Sequence, residues 1–104
     1  MKVPIIVYDD GDVLIFESVD LAENYLEPFD IHLYKAYDSE GHLLHLTPDG
    51  NIVSIELAET EPNHTNNLRQ VIFEFLLKVG IQKDWLLQAS LEDLILKSLE
   101  FKTQ

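Results

Sequence analysis

The chain has no cysteine, few glycines and no long apolar run, and each absence excludes a class of protein. Without cysteine, its 104 residues form no disulfide and no thiolate metal site, and nothing marks a secreted, disulfide-bonded domain. No segment approaches the roughly 20 apolar residues of a membrane span. All four glycines fall in predicted turns or caps, and neither Gly-x-Ser-x-Gly nor His-Glu-x-x-His occurs. We therefore expect a protein that is not an enzyme and has neither catalytic residues nor a cofactor.

Basic residues are also scarce, and the resulting negative charge is unevenly distributed. Seven lysines and arginines face nineteen acids, for a net charge of −12. Residues 1–66 hold fourteen of the acids against only Lys2 and Lys35, whereas residues 67–104 hold five acids and five bases. Such a chain repels nucleic acid and anionic membrane and attracts a basic partner. Solubility alone also favours acidic residues, but it does not predict their confinement to one part of the chain.

The apolar content is high enough for a folded core. Hydrophobic residues make up 46% of the chain, so we predict one globular domain over residues 1–104. The N-terminal residues have a short apolar run before the acids begin, which is shorter than a signal peptide requires. We expect a cytoplasmic protein.

The first predicted element is a β-hairpin. Val3–Tyr8 and Val13–Glu17 flank Asp10-Gly11, a strong two-residue turn signal. This turn places Val7 near Leu14 on one face, and the other face is apolar as well. Either helices cover both faces, or one face contacts another molecule.

A short helix and three more strands follow the hairpin. Ser18 is a good N-cap for a helix that ends before Pro28, and the spacing of Val19, Ala22, Leu26 and Phe29 places them toward the core. Turn residues then separate three predicted strands, which are 31–37, 43–47 and 52–58.

The C-terminal part is predicted to be helical. Apolar residues from Leu68 to Val79 repeat at helical spacing, and Gly80 is typical of a helix end. Residues 83–88 are expected to form a short helical turn, and Ser90 caps a last helix. The order β-β-α-β-β-β-α-α predicts an α+β domain with a five-stranded antiparallel sheet and helices packed on it.

Metal sites have little support in the sequence. His42 and His45 are three residues apart on a predicted strand, so their side chains point to opposite faces. His32 and His64 are separate from them, and a zinc site is not expected. Asp9-Asp10-Gly11-Asp12 lacks the spacing of a calcium loop and is explained by the hairpin turn.

The remaining constellation is acidic. Its carboxylates occur at the hairpin tip, along one side of the first helix and around the following turns, where they can mimic the phosphates that a basic enzyme binds. Tyr25 adds a candidate aromatic anchor. The predicted partner-binding residues are Asp9, Asp10, Asp12, Asp20, Glu23, Tyr25, Glu27, Asp30, Asp38 and Glu40. The alternative is an ordinary solvated surface.

Residues 14–18, 22–27 and 37–44 resemble a family of small bacterial proteins. In size and charge the chain also resembles immunity proteins of contact-dependent inhibition and other polymorphic toxin systems. That resemblance implies a cytosolic protein that neutralises one cognate basic toxin, often a nuclease, by covering its active site. The alternative hypothesis is a protein-interaction or self-assembling module, and the sequence leaves open whether the chain is a monomer or a homodimer.

Overall fold

The structure, a computed structural model, describes residues 1–103. Its five strands form one antiparallel sheet in the spatial order β2-β1-β3-β4-β5, so β2 and β5 are the edges. The strands are β1 (Ile5–Asp9), β2 (Asp12–Phe16), β3 (Tyr34–Tyr37), β4 (Leu43–Asp49) and β5 (Ile52–Leu57). The predicted fold class, an α+β domain with a five-stranded antiparallel sheet, is confirmed.

Within residues 1–103, four α-helices and two 3₁₀ segments complete the fold. The short segments are Pro28–Leu33, called here the 3₁₀ helix, and Leu99–Phe101. The α-helices are α1 (Val19–Tyr25), α2 (Thr65–Lys78), α3 (Lys83–Gln88) and α4 (Leu91–Ser98). The predicted turn at residues 83–88 is thus a helix of its own. Each described helix is too short, or too rich in polar residues, to cross a membrane.

The first hairpin has the predicted register. Asp10 and Gly11 both have positive φ, of 46° and 105°, which gives the strands their two-residue connection. Val7 lies opposite Leu14, and Ile6 opposite Ile15.

This chain's own helices cover both faces of the hairpin. One core cluster includes Val7 and Phe16 together with Ala22 of α1. The other includes Ile6 and Ile15 with residues of α2 and α4. Of the two explanations for the apolar faces, coverage by helices is correct.

Local capping explains where the helices begin and end. The Ser18 and Ser90 hydroxyl oxygens each accept a hydrogen bond, at 3.1 Å, from a backbone N–H in the first turn of α1 and α4. After α2 the chain turns at Gly80, whose φ is 102°. The Ile81 N–H then donates to the Leu76 carbonyl at 3.0 Å, which satisfies a carbonyl that the helix leaves unpaired.

The segment between α1 and β3 differs from the prediction. Residues 31–33 belong to the 3₁₀ helix rather than to a strand, and Phe29 is 92% exposed instead of lying in the core. The physical reason is Pro28, which disfavours helical backbone at the residue before it. The helix α1 therefore ends at Tyr25, and the 3.6-residue periodicity that assigned Phe29 to the core stops there.

Candidate functional site

The topology gathers acidic residues at one end of the sheet. β1 and β4 run in the same direction, so the β1–β2 and β4–β5 turns lie at the same end. The 3₁₀ helix leads into β3 there, since Tyr34 lies opposite Asp9. We call this group of carboxylates the acidic end: Asp9, Asp10, Asp12, Glu27, Asp30 and Asp49.

Several of these carboxylates act electrostatically on the same neighbouring groups. Burial raises the pKa of the Asp9 carboxyl above its usual range, and the charges of Asp12, Asp30 and Asp10 raise it further. Burial also raises the pKa of the Tyr34 phenol, to which the charges of Asp9, Asp30 and Glu27 add. The Tyr34 oxygen accepts a hydrogen bond from the Glu27 N–H at 3.2 Å. Residues distant in sequence thus form one negative field around Tyr34.

Few cations oppose this field. Lys35 lies opposite Tyr8 in the sheet, and Lys78 ends α2 close to the first hairpin. Within residues 1–103, ion pairs join His42 to Asp38, His64 to Glu59, Lys97 to Glu100 and Lys102 to Glu17. None of these pairs includes a carboxylate of the acidic end, so its negative charges are not neutralised by direct contact.

An exposed aromatic side chain lies at the acidic end. Phe29 lines a surface groove of about 520 Å³ between the 3₁₀ helix and the β4–β5 turn. Its neighbours in that groove include Glu27, Pro48 and Asn51. A fully exposed phenylalanine beside carboxylates is a typical combination for a protein contact, in which an aromatic anchor is buried and charges surround it.

Two of the three predicted partner-binding residues on α1, Glu23 and Tyr25, have local contacts. A Glu23 carboxylate oxygen accepts a hydrogen bond from the Ile55 N–H at 2.9 Å, which fixes α1 to the outer edge of β5. The Tyr25 ring packs against Phe16, with ring centroids 5.4 Å apart, and remains 43% exposed.

Three others lie toward the opposite end. Asp20 is exposed in the first turn of α1, and Glu40 is exposed in the β3–β4 turn. Asp38 follows β3 and is completely buried. It lies four residues beyond Tyr34, which corresponds to about 13 Å of strand. The structure therefore brings Asp9, Asp10, Asp12, Glu27 and Asp30 together and places these three elsewhere.

The buried Asp38 carboxylate organises its own turn. One oxygen accepts from the Glu40 and His42 backbone N–H groups, at 3.0 and 2.9 Å. The other accepts from the Lys2 N–H at 3.0 Å and lies 2.9 Å from His42 Nδ1. Burial alone raises the pKa of the Asp38 carboxyl, but the hydrogen bonds from Lys2, His42 and Glu40 together outweigh it, and the pKa lies below its usual range.

The same turn holds a possible set of metal ligands. Asp38, Glu40 and His42 offer ligand atoms within 4.8 Å of one another. Both oxygens of Asp38, however, already accept hydrogen bonds from N–H groups, which leaves little capacity for a cation. We therefore assign this cluster a structural role.

A second carboxylate–histidine pair was not predicted from the sequence. One Glu59 oxygen accepts from the Leu43 N–H at 2.9 Å and lies 2.7 Å from His64 Nδ1. The Leu43 hydrogen bond and the His64 contact hold the pKa of the Glu59 carboxyl below its usual range. This pair fixes the loop that leads into α2. The one sequence signal for it is that Glu59 and His64 lie five residues apart in the same loop.

Comparison of the chain with protein-family models, with curated proteins and with solved structures finds no significant match. The function is therefore inferred from the geometry of the acidic end.

Proposed function

We propose that this chain is an immunity-type inhibitor that binds a basic protein toxin of bacterial origin, a nuclease, and covers the surface with which the toxin holds nucleic acid. It would act in the cytoplasm, without a cofactor and without catalysis. The observation that supports this proposal is the acidic end itself, whose carboxylates have no ion-pair partner within residues 1–103 and which also holds a phenylalanine that is 92% exposed.

The charge gives such an inhibitor its specificity and speed. A nuclease presents lysines and arginines to the phosphates of its substrate. The acidic end offers anions to the same groups, and long-range attraction of this kind accelerates association at low salt. Desolvated charge pairs then slow dissociation.

Phe29 would supply the anchor. A side chain that is already exposed loses contact with water only in the complex, and burial of one phenylalanine stabilises a contact by about 2 kcal/mol. Because the chain does not use Phe29 for its own core, removing the ring should affect binding and leave folding unchanged.

The first experiment measures binding to the basic protein that copurifies with tagged wild-type chain from the native cell. Association and dissociation rates are recorded by surface plasmon resonance from low to high salt, and RNA and DNA cleavage by the partner is assayed in parallel. We expect rapid association that slows with salt, and loss of cleavage at equimolar inhibitor.

Two triple variants with the same change in net charge locate the contact. The first reverses charges at the acidic end (Asp10→Lys, Asp12→Lys, Asp30→Lys), and the second reverses exposed glutamates elsewhere (Glu40→Lys, Glu56→Lys, Glu61→Lys). The first should lower the association rate at low salt about tenfold or more, and the second far less. Equal losses in the two variants would mean that net charge, not this surface, governs binding.

Phe29→Ala tests the anchor. We expect the dissociation constant to rise about thirtyfold, mostly through faster dissociation, with an unchanged urea midpoint. Leu96→Ala, at another exposed apolar side chain, is the control and should leave binding unchanged. The proposal fails if no basic protein is bound, or if the bound partner is indifferent to both the charge reversals and Phe29→Ala.

The alternative of a self-assembling module depended on a hairpin with a free apolar face. Both faces are covered by helices of this chain, so that basis no longer favours the alternative.

A further inference from the structure

A second groove adjoins the acidic end, between the first hairpin and α2. It has a volume of about 570 Å³, within the usual range for binding sites. Its apolar wall includes Tyr8 and Val13 on the hairpin and Val71 and Phe75 on α2. All four side chains are only partly buried in the chain alone.

The groove opens along the outer edge of β2. Val13 and Leu14 are consecutive and point to opposite faces of the sheet, yet both line the groove. Farther along the same edge, the Ile15 N–H donates to the Thr103 hydroxyl at 2.9 Å, and the Ile15 carbonyl accepts from the Thr103 N–H at 2.7 Å. The chain's own C-terminal segment thus already pairs with this edge.

The Val13 peptide groups face the same way as those of Ile15. In an antiparallel strand, alternate residues direct both peptide groups to the same side, and Val13 is two residues before Ile15. Within residues 1–103, no group outside the sheet forms a hydrogen bond with the Val13 peptide groups. An extended segment can therefore pair with Val13 in the way that Thr103 pairs with Ile15.

Charge indicates which segment fits. Asp12 and Glu74 line the groove and are exposed, and Asp12 also belongs to the acidic end. Lys78, on the last turn of α2, is the one cation among the lining residues. With the acidic end adjoining, the local field favours a segment that alternates basic and apolar residues, because one face then matches the apolar wall and the other the carboxylates of Asp12 and the acidic end.

We propose that this groove binds an extended basic and apolar segment of a protein partner as a strand added to β2. The inference rests on the proposed function, since it assigns a second contact to the same basic partner. Apolar side chains of the segment contact Val71 and Phe75 on the α2 side, and its basic side chains, on the other face, lie near Asp12. Glu74 adds to the negative field of the groove.

The test uses defined peptides and the ¹⁵N-labelled full chain. The probe is acetyl-Lys-Val-Arg-Ile-Lys-amide. One control replaces its two apolar residues by glycine, and another is methylated at every peptide nitrogen. We expect saturable amide shifts at Gly11, Val13, Val71 and Phe75, with slowed amide exchange at Val13. The glycine control should bind about tenfold or more weakly, and the methylated peptide should lose the protection of Val13.

Matched variants test the contribution of the groove's negative charge. Glu74→Lys should raise the dissociation constant of the probe about threefold or more, whereas Glu92→Lys, the same change on α4, should leave it unaltered. The inference is overturned if the glycine peptide binds equally well, if methylation changes nothing, or if the shifts occur only around Phe29. None of these results decides the proposed function. That function is tested separately, by comparing how the basic partner binds to the wild-type chain and to the acidic-end triple variant.

Discussion

The buried carboxylate of Asp38 gives the sharpest test of how this fold is stabilised. Asp38→Asn keeps the side-chain shape but replaces one acceptor oxygen by an amide NH₂ group. Three backbone N–H groups donate to the carboxylate, and those that donated to the replaced oxygen then lose their acceptor and face the new NH₂ group. Hydrogen bonds to a charged group are worth about 1.5–3 kcal/mol each, so we expect the free energy of unfolding to fall by about 3–5 kcal/mol.

Such a loss is large for a domain of this size, whose total stability is typically about 5–15 kcal/mol. Urea unfolding at pH 7, followed by far-UV circular dichroism, measures it as a lower midpoint at an unchanged slope. Asp9→Asn is the matched control, because burial and neighbouring charges raise the pKa of Asp9. The same substitution there removes an unfavourable charge, so the midpoint should rise slightly.

The two residues also predict opposite responses to acid. The folded-state pKa of Asp38 is lowered, so the ionised carboxylate stabilises the folded state. This contribution to the free energy of unfolding is complete above the ordinary pKa of about 3.9 and is lost as pH falls through the lower, folded-state pKa. The folded-state pKa of Asp9 is raised, so its penalty is present at pH 7 and disappears as pH falls through that raised value. An Asp38→Asn midpoint equal to wild type, or a larger loss in Asp9→Asn, would refute this reasoning.

Three further substitutions test single contacts. Gly41→Ala should destabilise the fold by about 2–4 kcal/mol, because φ is +94° and the new Cβ would lie 2.6 Å from the Thr65 methyl carbon; Gly50→Ala, with positive φ but open space, should cost about 1 kcal/mol in the same urea assay. Glu23→Ala should cost about 1–2 kcal/mol and speed amide exchange at the edge of β5; unchanged exchange would contradict its role there. Thr103→Val should lower the free energy of unfolding by roughly 1 kcal/mol, which lowers the thermal midpoint by a few degrees. A midpoint equal to wild type would show that the hydroxyl contributes nothing.

Much of the fold follows from local sequence signals. Asp10-Gly11 has the positive φ angles that its hairpin turn requires, and Ser18 and Ser90 cap helices as their positions indicate. These signals depend on a few neighbouring residues, so they can be recognised without knowledge of the tertiary structure. Phe29 was misplaced because Pro28 interrupts the helical spacing on which its assignment depended.

The candidate site was less predictable, because it depends on which turns meet. Asp49 joins Asp9 and Asp30 only because β1 and β4 are parallel, which local sequence does not reveal. Asp38 was predicted as a surface contact because aspartate is usually exposed, and only the inward-facing N–H groups of its turn account for its burial.

Each border of the sheet is partly covered by the chain itself, by Glu23 at Ile55 of β5 and by Thr103 at Ile15 of β2. Unpaired strand borders are the usual template for amyloid-like polymerisation, and these contacts shorten the part of each border that is available. Mutual repulsion between molecules of net charge −12 acts in the same direction. The protein should therefore tolerate high concentration in dilute buffer, and it should begin to associate when Glu23 or Thr103 is replaced and the charge is screened by salt.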